Sequence, residues 1–180
     1  MRIEINEKGS RAYYNEIAYI KLNYSKVLDN PGRPAKTVTG YVLTRVLGFL
    51  IAVIAGIYLY FTTKDVIYGA ITIGMVVAEI AIILSLVNGI RKMNSLMAED
   101  GPKVVEVDET GVRSIQNGEV IEIKWEDVLC IALNKHSITV LPKVTSQYGI
   151  YVNLKYKDEM IQAIRNAGYF YMIEDNVTRE

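Results

Sequence analysis

The chain has 180 residues, 51% of them apolar, and its 20 Lys and Arg balance 20 Asp and Glu. A single cysteine, Cys130, excludes an intramolecular disulfide, and the net −3 of residues 91–180 disfavours nucleic acid. The charge is unevenly spread, with eight Lys and Arg against four Asp and Glu in residues 1–45, one against two in 46–90, and eleven against fourteen in 91–180.

No cleavable signal peptide is expected, because no apolar run precedes residue 41. Residues 2–6 alternate apolar and polar, which predicts a short half-buried strand. Gly9 breaks it, and Ser10 can cap a helix. From Ala12 to Leu28 the apolar residues Tyr13, Ile17, Ile20, Tyr24, Val27 and Leu28 recur at helical spacing. Such a helix could lie on an anionic membrane surface or on the protein's own soluble domain. Glu16 and Asp29 dilute the basic face that surface binding needs, so packing on the domain is expected. Pro31, Gly32 and Pro34 end this arm in a linker.

Val46 to Thr63 is an uncharged run of 18 residues, and Val66 to Ile90 is a run of 25 with one charge, Glu79. Each is long enough to cross the ~30 Å hydrocarbon layer as a helix, so the pair predicts a transmembrane helical hairpin turning at Lys64-Asp65. Arg33, Lys36 and Arg45 precede it and Arg91 and Lys92 follow it, which places both termini in the cytoplasm. Tyr58, Tyr60, Phe61 and Tyr68 flank the turn as an interfacial belt would. Gly48, Ala52 and Gly56, and likewise Ala70, Gly74 and Ala78, recur every four residues. These stripes are expected to face each other across the hairpin, with a homodimer face as the alternative. Glu79 lies near mid-span, where an ionised carboxylate costs about 2.5–3.5 kcal/mol or more. It is the one candidate functional residue of the hairpin. It is expected to enter as the neutral acid and to donate a hydrogen bond, with carbonyls near Gly48–Gly56 as acceptors.

Residues 95–102 read as a polar exit closing the hairpin. The period then changes to two. Strands are predicted over 105–108, 112–116, 121–125, 128–133 and 138–141, with Asn117-Gly118 as a type I′ hairpin turn. A short strand at 150–152 leads to a helix over 154–167 with Tyr156, Met160, Ala163, Ile164 and Ala167 on its buried face, stopped by Gly168. Residues 169–173 form a last strand or an apolar tail. This gives three units: an arm (1–36), the hairpin (37–94) and an antiparallel β domain with a C-terminal helix (101–175). A strand meander closed by one amphipathic helix is the plan of a pleckstrin-homology-like (PH-like) domain.

With two spanning helices after a strand–helix arm, the Asp108–Gly111 turn, Trp125-Glu126-Asp127-Val128 and Pro142-Lys143 follow in an order that resembles the YcxB-like family of bacterial membrane proteins. The resemblance implies an α+β architecture and a bacterial plasma membrane; it implies no catalytic chemistry.

The residues themselves point the same way. His136 sits in a predicted turn without the second ligand or nucleophile that a metal or catalytic site needs. Cys130 reads as a small buried hydrophobe and Trp125 as a core anchor. The pairs Glu126-Asp127 and Asp158-Glu159 suit element starts. No glycine-rich phosphate loop follows a strand. Lys103 and Arg113 are interspersed with Glu106, Asp108, Glu109 and Glu119, which disfavours a phosphoinositide headgroup. The expectation is therefore a non-enzymatic membrane-anchored docking or scaffold protein, with no metal and no cofactor. Its partners are the lipid bilayer and another membrane or cytoplasmic protein. The alternative is an immunity- or envelope-stress-type protein acting through its hairpin.

Overall fold

The computed structural model describes residues 1–31, 38–144 and 149–177, with the side chains of 38–42, 44 and 45 left out. Gly32, Pro34, Arg33 and Lys36, and the Arg45 side chain, thus lie outside the described residues. The fold is α+β, built from two long apolar helices and two four-stranded sheets.

The first sheet has the order β1 (Arg2–Ile5), β2 (Lys103–Val107), β3 (Gly111–Gln116), β4 (Glu119–Lys124), antiparallel throughout. The expected strand of the arm is thus an outer member of this sheet: Ile3 pairs with Val105 and Ile5 with Lys103. The β3–β4 link is the expected tight turn, with φ of 52° at Asn117 and 83° at Gly118. A type I′ turn needs positive φ at both positions, which these two residue types tolerate. A 3-10 turn, Trp125–Asp127, then carries the chain to the second sheet. Trp125 is core as expected, but it lies in that turn and not in the strand. Its indole N–H donates to the Asp108 carbonyl at 2.8 Å, and its ring stacks on Tyr169 at 4.2 Å.

The second sheet has the order β7 (Ile150–Asn153), β6 (Ser137–Pro142), β5 (Val128–Leu133), β8 (Ile173–Asp175). The ambiguous tail is β8, parallel to β5. A single core fills the space between the sheets: Ile3, Val105, Val107, Val112 and Ile123 meet Ile131, Leu133, Ile138, Val140 and Val152. The C-terminal helix α5 (Lys157–Asn166) closes it with Met160, Ala163 and Ile164, and Gly168 stops the helix at φ 87°. Residues 154–156, expected as its first turn, form a separate 3-10 turn.

Between β1 and β2 lie four helices: α1 (Arg11–Leu22), α2 (Tyr24–Asp29), α3 (Val38–Thr63) and α4 (Val66–Glu99). The helix expected over 12–28 breaks at Asn23, whose side-chain amide and backbone N–H both donate to the Tyr19 carbonyl at 3.0 Å. Asn competes in this way with helix continuation. The polar exit at 95–102 is helical up to Glu99, because Leu96 and Met97 pack with the buried face of α1; the break is Asp100-Gly101-Pro102. Both α3 and α4 are long and apolar enough to cross a membrane. Their apolar side chains point outward, as at Ile51 (69% exposed) and Ile73 (68%). The small-residue stripes do not face each other. Gly56 does lie against α4, where a Cβ would strike the Thr72 hydroxyl and come within 3.3 Å of Met75 Cε, but Gly48 and Gly74 look into open space. The helices therefore meet along Gly56, Thr72 and Met75, and Thr72 satisfies its hydroxyl on its own helix, at the Tyr68 carbonyl (2.7 Å).

Ile3→Ala empties a core position from the outermost strand and should cost about 2–4 kcal/mol. Trp125 is the sole tryptophan, so denaturant unfolding of the full chain followed by its fluorescence reads the effect. An unchanged midpoint would mean that β1 is dispensable to the domain.

Candidate functional site

Helix α1 is held on two sides. Ser10 caps it by accepting the Tyr13 N–H at 3.2 Å. Tyr13, Tyr14, Ile17, Ala18 and Ile20 are buried among Met93 of α4 and Cys130, Ala132, Leu141 and Tyr151 of the second sheet. This is the expected packing of the arm on the protein's own domain, with α4 as a second wall. The second sheet is therefore covered on both faces, which explains the unbroken apolar run of β5. Burial pushes the Cys130 thiol up to about 12, so it behaves as the small hydrophobe expected.

Under α1 the wall turns polar. Glu16, whose charge dilutes the basic face of α1, is 1% exposed. Its carboxylate accepts from the Ser137 hydroxyl and, at 3.1 Å, from the His136 N–H. The Asn134–Ser137 turn is thus not solvated throughout: Asn134 and Ser137 are buried, and His136 is half-buried with its backbone N–H engaged by Glu16. Asn176 joins them, donating to the Asn134 side chain at 3.2 Å and to the Pro31 carbonyl at 3.0 Å. Burial raises the Glu16 carboxyl from 4.5 to about 7, against the opposing pull of its hydrogen bonds and of Lys135.

A cleft of about 350 Å³ opens where α1, the end of α4 and the first sheet meet. Its floor is set by strand register. On the inward face of β2, β3 and β4, the rows Val107–Val112–Ile123 and Val105–Ser114–Ile121 give way to a final row, Lys103–Gln116–Glu119. One face thus turns from apolar to polar at one end. Lys103 is 9% exposed, and its ammonium donates to the Tyr151 carbonyl, which also accepts the Tyr13 hydroxyl at 3.2 Å. Burial pushes the Lys103 amine down to about 8. Lys21 on α1 lies 5.3 Å above the Tyr151 ring, and burial, followed by nearby Lys92, lowers its amine too. Neither lysine forms an ion pair among the described residues. Asp100, by contrast, accepts from Tyr14, from Gly9 N–H at 3.3 Å and from Gln116 at 3.2 Å.

Glu79 stands apart from this cleft, in the apolar part of α4. It is half-buried, and its Oε2 is buried without a hydrogen-bond partner among the described residues. The expected bond to carbonyls near Gly48–Gly56 is not made. Among the described residues no three His, Cys, Asp or Glu side chains converge as a metal site requires. No family model, no curated protein and no solved structure matches this chain.

Glu16 gives a pH signature. Between about pH 4.5 and 7 the folded chain keeps a proton that the unfolded chain has released. The folded state binds more protons there, so stability falls as pH rises through that window. Denaturant midpoints at pH 5 and pH 7.5 should show this decline in wild type and a smaller one in Glu16→Gln. Equal slopes would remove Glu16 as its source.

Proposed function

We propose that the chain is a non-enzymatic docking or scaffold protein of a bacterial plasma membrane, anchored by α3 and α4 and presenting a PH-like β domain to the cytoplasm. The observation that carries this reading is the outward-facing apolar surface of a hairpin inserted, in chain order, between two neighbouring strands of one folded domain. In water such a surface would be an aggregation liability; in a bilayer it is the anchor. Two four-stranded sheets closed by a C-terminal helix support the PH-like assignment, and Arg91-Lys92 against the Lys64-Asp65 turn supports the orientation. The domain offers a partner the exposed side chains Tyr171 (74%) and Phe170 (47%).

A second reading is an immunity- or envelope-stress-type protein that acts through the hairpin. It is favoured by Glu79, since an intramembrane acid with an unpartnered oxygen suits a contact to another membrane protein.

Co-purification of the full chain from native membranes separates the two. Docking through the domain predicts that the partner survives replacement of the hairpin by an unrelated two-span hairpin and is lost in Tyr171→Glu. The hairpin reading predicts the reverse, with loss in Glu79→Leu; retention in Glu79→Gln would mark a hydrogen bond as the operative contact.

Orientation is checked separately. In a Cys130→Ser background, a cysteine at Lys64 should react with an impermeant thiol reagent from outside intact cells, while cysteines at Asn117 to Glu119 should stay unlabelled. The opposite pattern would invert the topology.

A further inference from the structure

The cleft between α1 and the first sheet holds an arrangement of charge that the fold does not need. Lys103 is nine-tenths buried, yet its ammonium has three donors and one protein acceptor, the Tyr151 carbonyl. The negative charge of nearby Asp100 favours this ammonium but makes no direct ion pair with it among the described residues, and a well-packed apolar residue would serve the domain at least as well. Lys21, the second cation of the lining, feels the charge of Glu99 but likewise makes no direct ion pair among the described residues. Two ammonium groups without a direct ion pair, in one concave site of about 350 Å³, fit an anionic group between them.

The rest of the lining rules against a simple anion. Glu99, Asp100 and Glu119 also face the cleft. Asp100 is occupied by its three donors. Glu99 accepts from the Ser95 hydroxyl at 2.6 Å, which leaves lone pairs free, and Glu119 is exposed on the rim. A ligand with charge of one sign would meet repulsion from half of the site. A ligand with an anionic end and an ammonium end would meet a partner at each.

We propose that this cleft binds a small zwitterion, its anionic group on Lys103 and Lys21 and its ammonium on Glu119 and Glu99. The chemistry is that of phosphoethanolamine, which occurs both free and as a lipid headgroup. Position favours the free form. The apolar stretch of α4 ends at Ile90, and Glu99 lies about 13 Å further along the axis at the α-helical rise. The headgroup layer itself reaches about 5–8 Å beyond the hydrocarbon, so a lipid anchored in the bilayer would have to lift its headgroup several ångströms out of that layer.

The test is calorimetric titration of the full chain in detergent with phosphoethanolamine, inorganic phosphate and ethanolamine, beside titration in phosphatidylcholine nanodiscs with and without phosphatidylethanolamine. Phosphoethanolamine should bind about tenfold or more tightly than either fragment, as two charge-assisted contacts imply. Lys21→Met should weaken phosphoethanolamine and phosphate alike, by about tenfold. Glu119→Gln should weaken phosphoethanolamine alone. Lys103→Met should abolish both; if Trp125 fluorescence shows that it does not fold, the other two variants decide. No binding of phosphoethanolamine at millimolar concentration, binding no tighter than phosphate, or indifference to Lys21→Met and Glu119→Gln would each overturn the proposal. If phosphatidylethanolamine nanodiscs suppress binding of the free ligand, the zwitterion chemistry stands and a lipid headgroup replaces the free form as its source.

Discussion

Ile5 and Lys103 are register partners in adjacent strands, yet four helices lie between them in the chain. Everything in that interval must leave and return through the same edge of one sheet. The sheet cannot complete its outer strand unless the inserted helices fold back to the starting point, and they do so because α1 has somewhere to bury its apolar face. Tyr13, Tyr14, Ile17 and Ile20 fill the space between Met93 of α4 and Leu141 and Tyr151 of the second sheet. Through this wedge of α1, α4 and the second sheet share one packed cluster.

The same wedge accounts for the character of the second sheet. A strand covered on one face alternates, whereas β5 is apolar throughout and β6 is buried at every position, because α1 and α4 supply the second cover. Where that cover meets polar backbone at the Asn134–Ser137 turn, the protein places a carboxylate. Glu16 accepts donors that would otherwise be buried without partners, and its raised pKa reflects the burial that this service requires.

The cleft is a consequence of register. Three strands of the first sheet present Val, Ile and Ser inward until the last row, where Lys103, Gln116 and Glu119 stand side by side. The polar row keeps the cleft open and charged under α1.

The sequence alone carried what local periodicity encodes. The two apolar helices, the Asn117-Gly118 turn, the meander of short strands, the amphipathic C-terminal helix and the arm strand were legible because each is written in residues a few positions apart. Helix ends shifted where a side chain such as Asn23 competes with the backbone, or where Leu96 and Met97 find a partner far away in the chain. The candidate site was not legible. Lys103 and Glu119 looked like surface charges on a hairpin, Glu16 like a diluted basic face, and Gly74 like a packing stripe, because sequence spacing reports which face a residue shares and not what covers that face. Only the tertiary structure decided the cover. Burying α1 between α4 and the second sheet turned Glu16 and Lys103 into interior charges, and the line along which α3 meets α4 left Gly74 facing outward and Glu79 with an unpartnered oxygen.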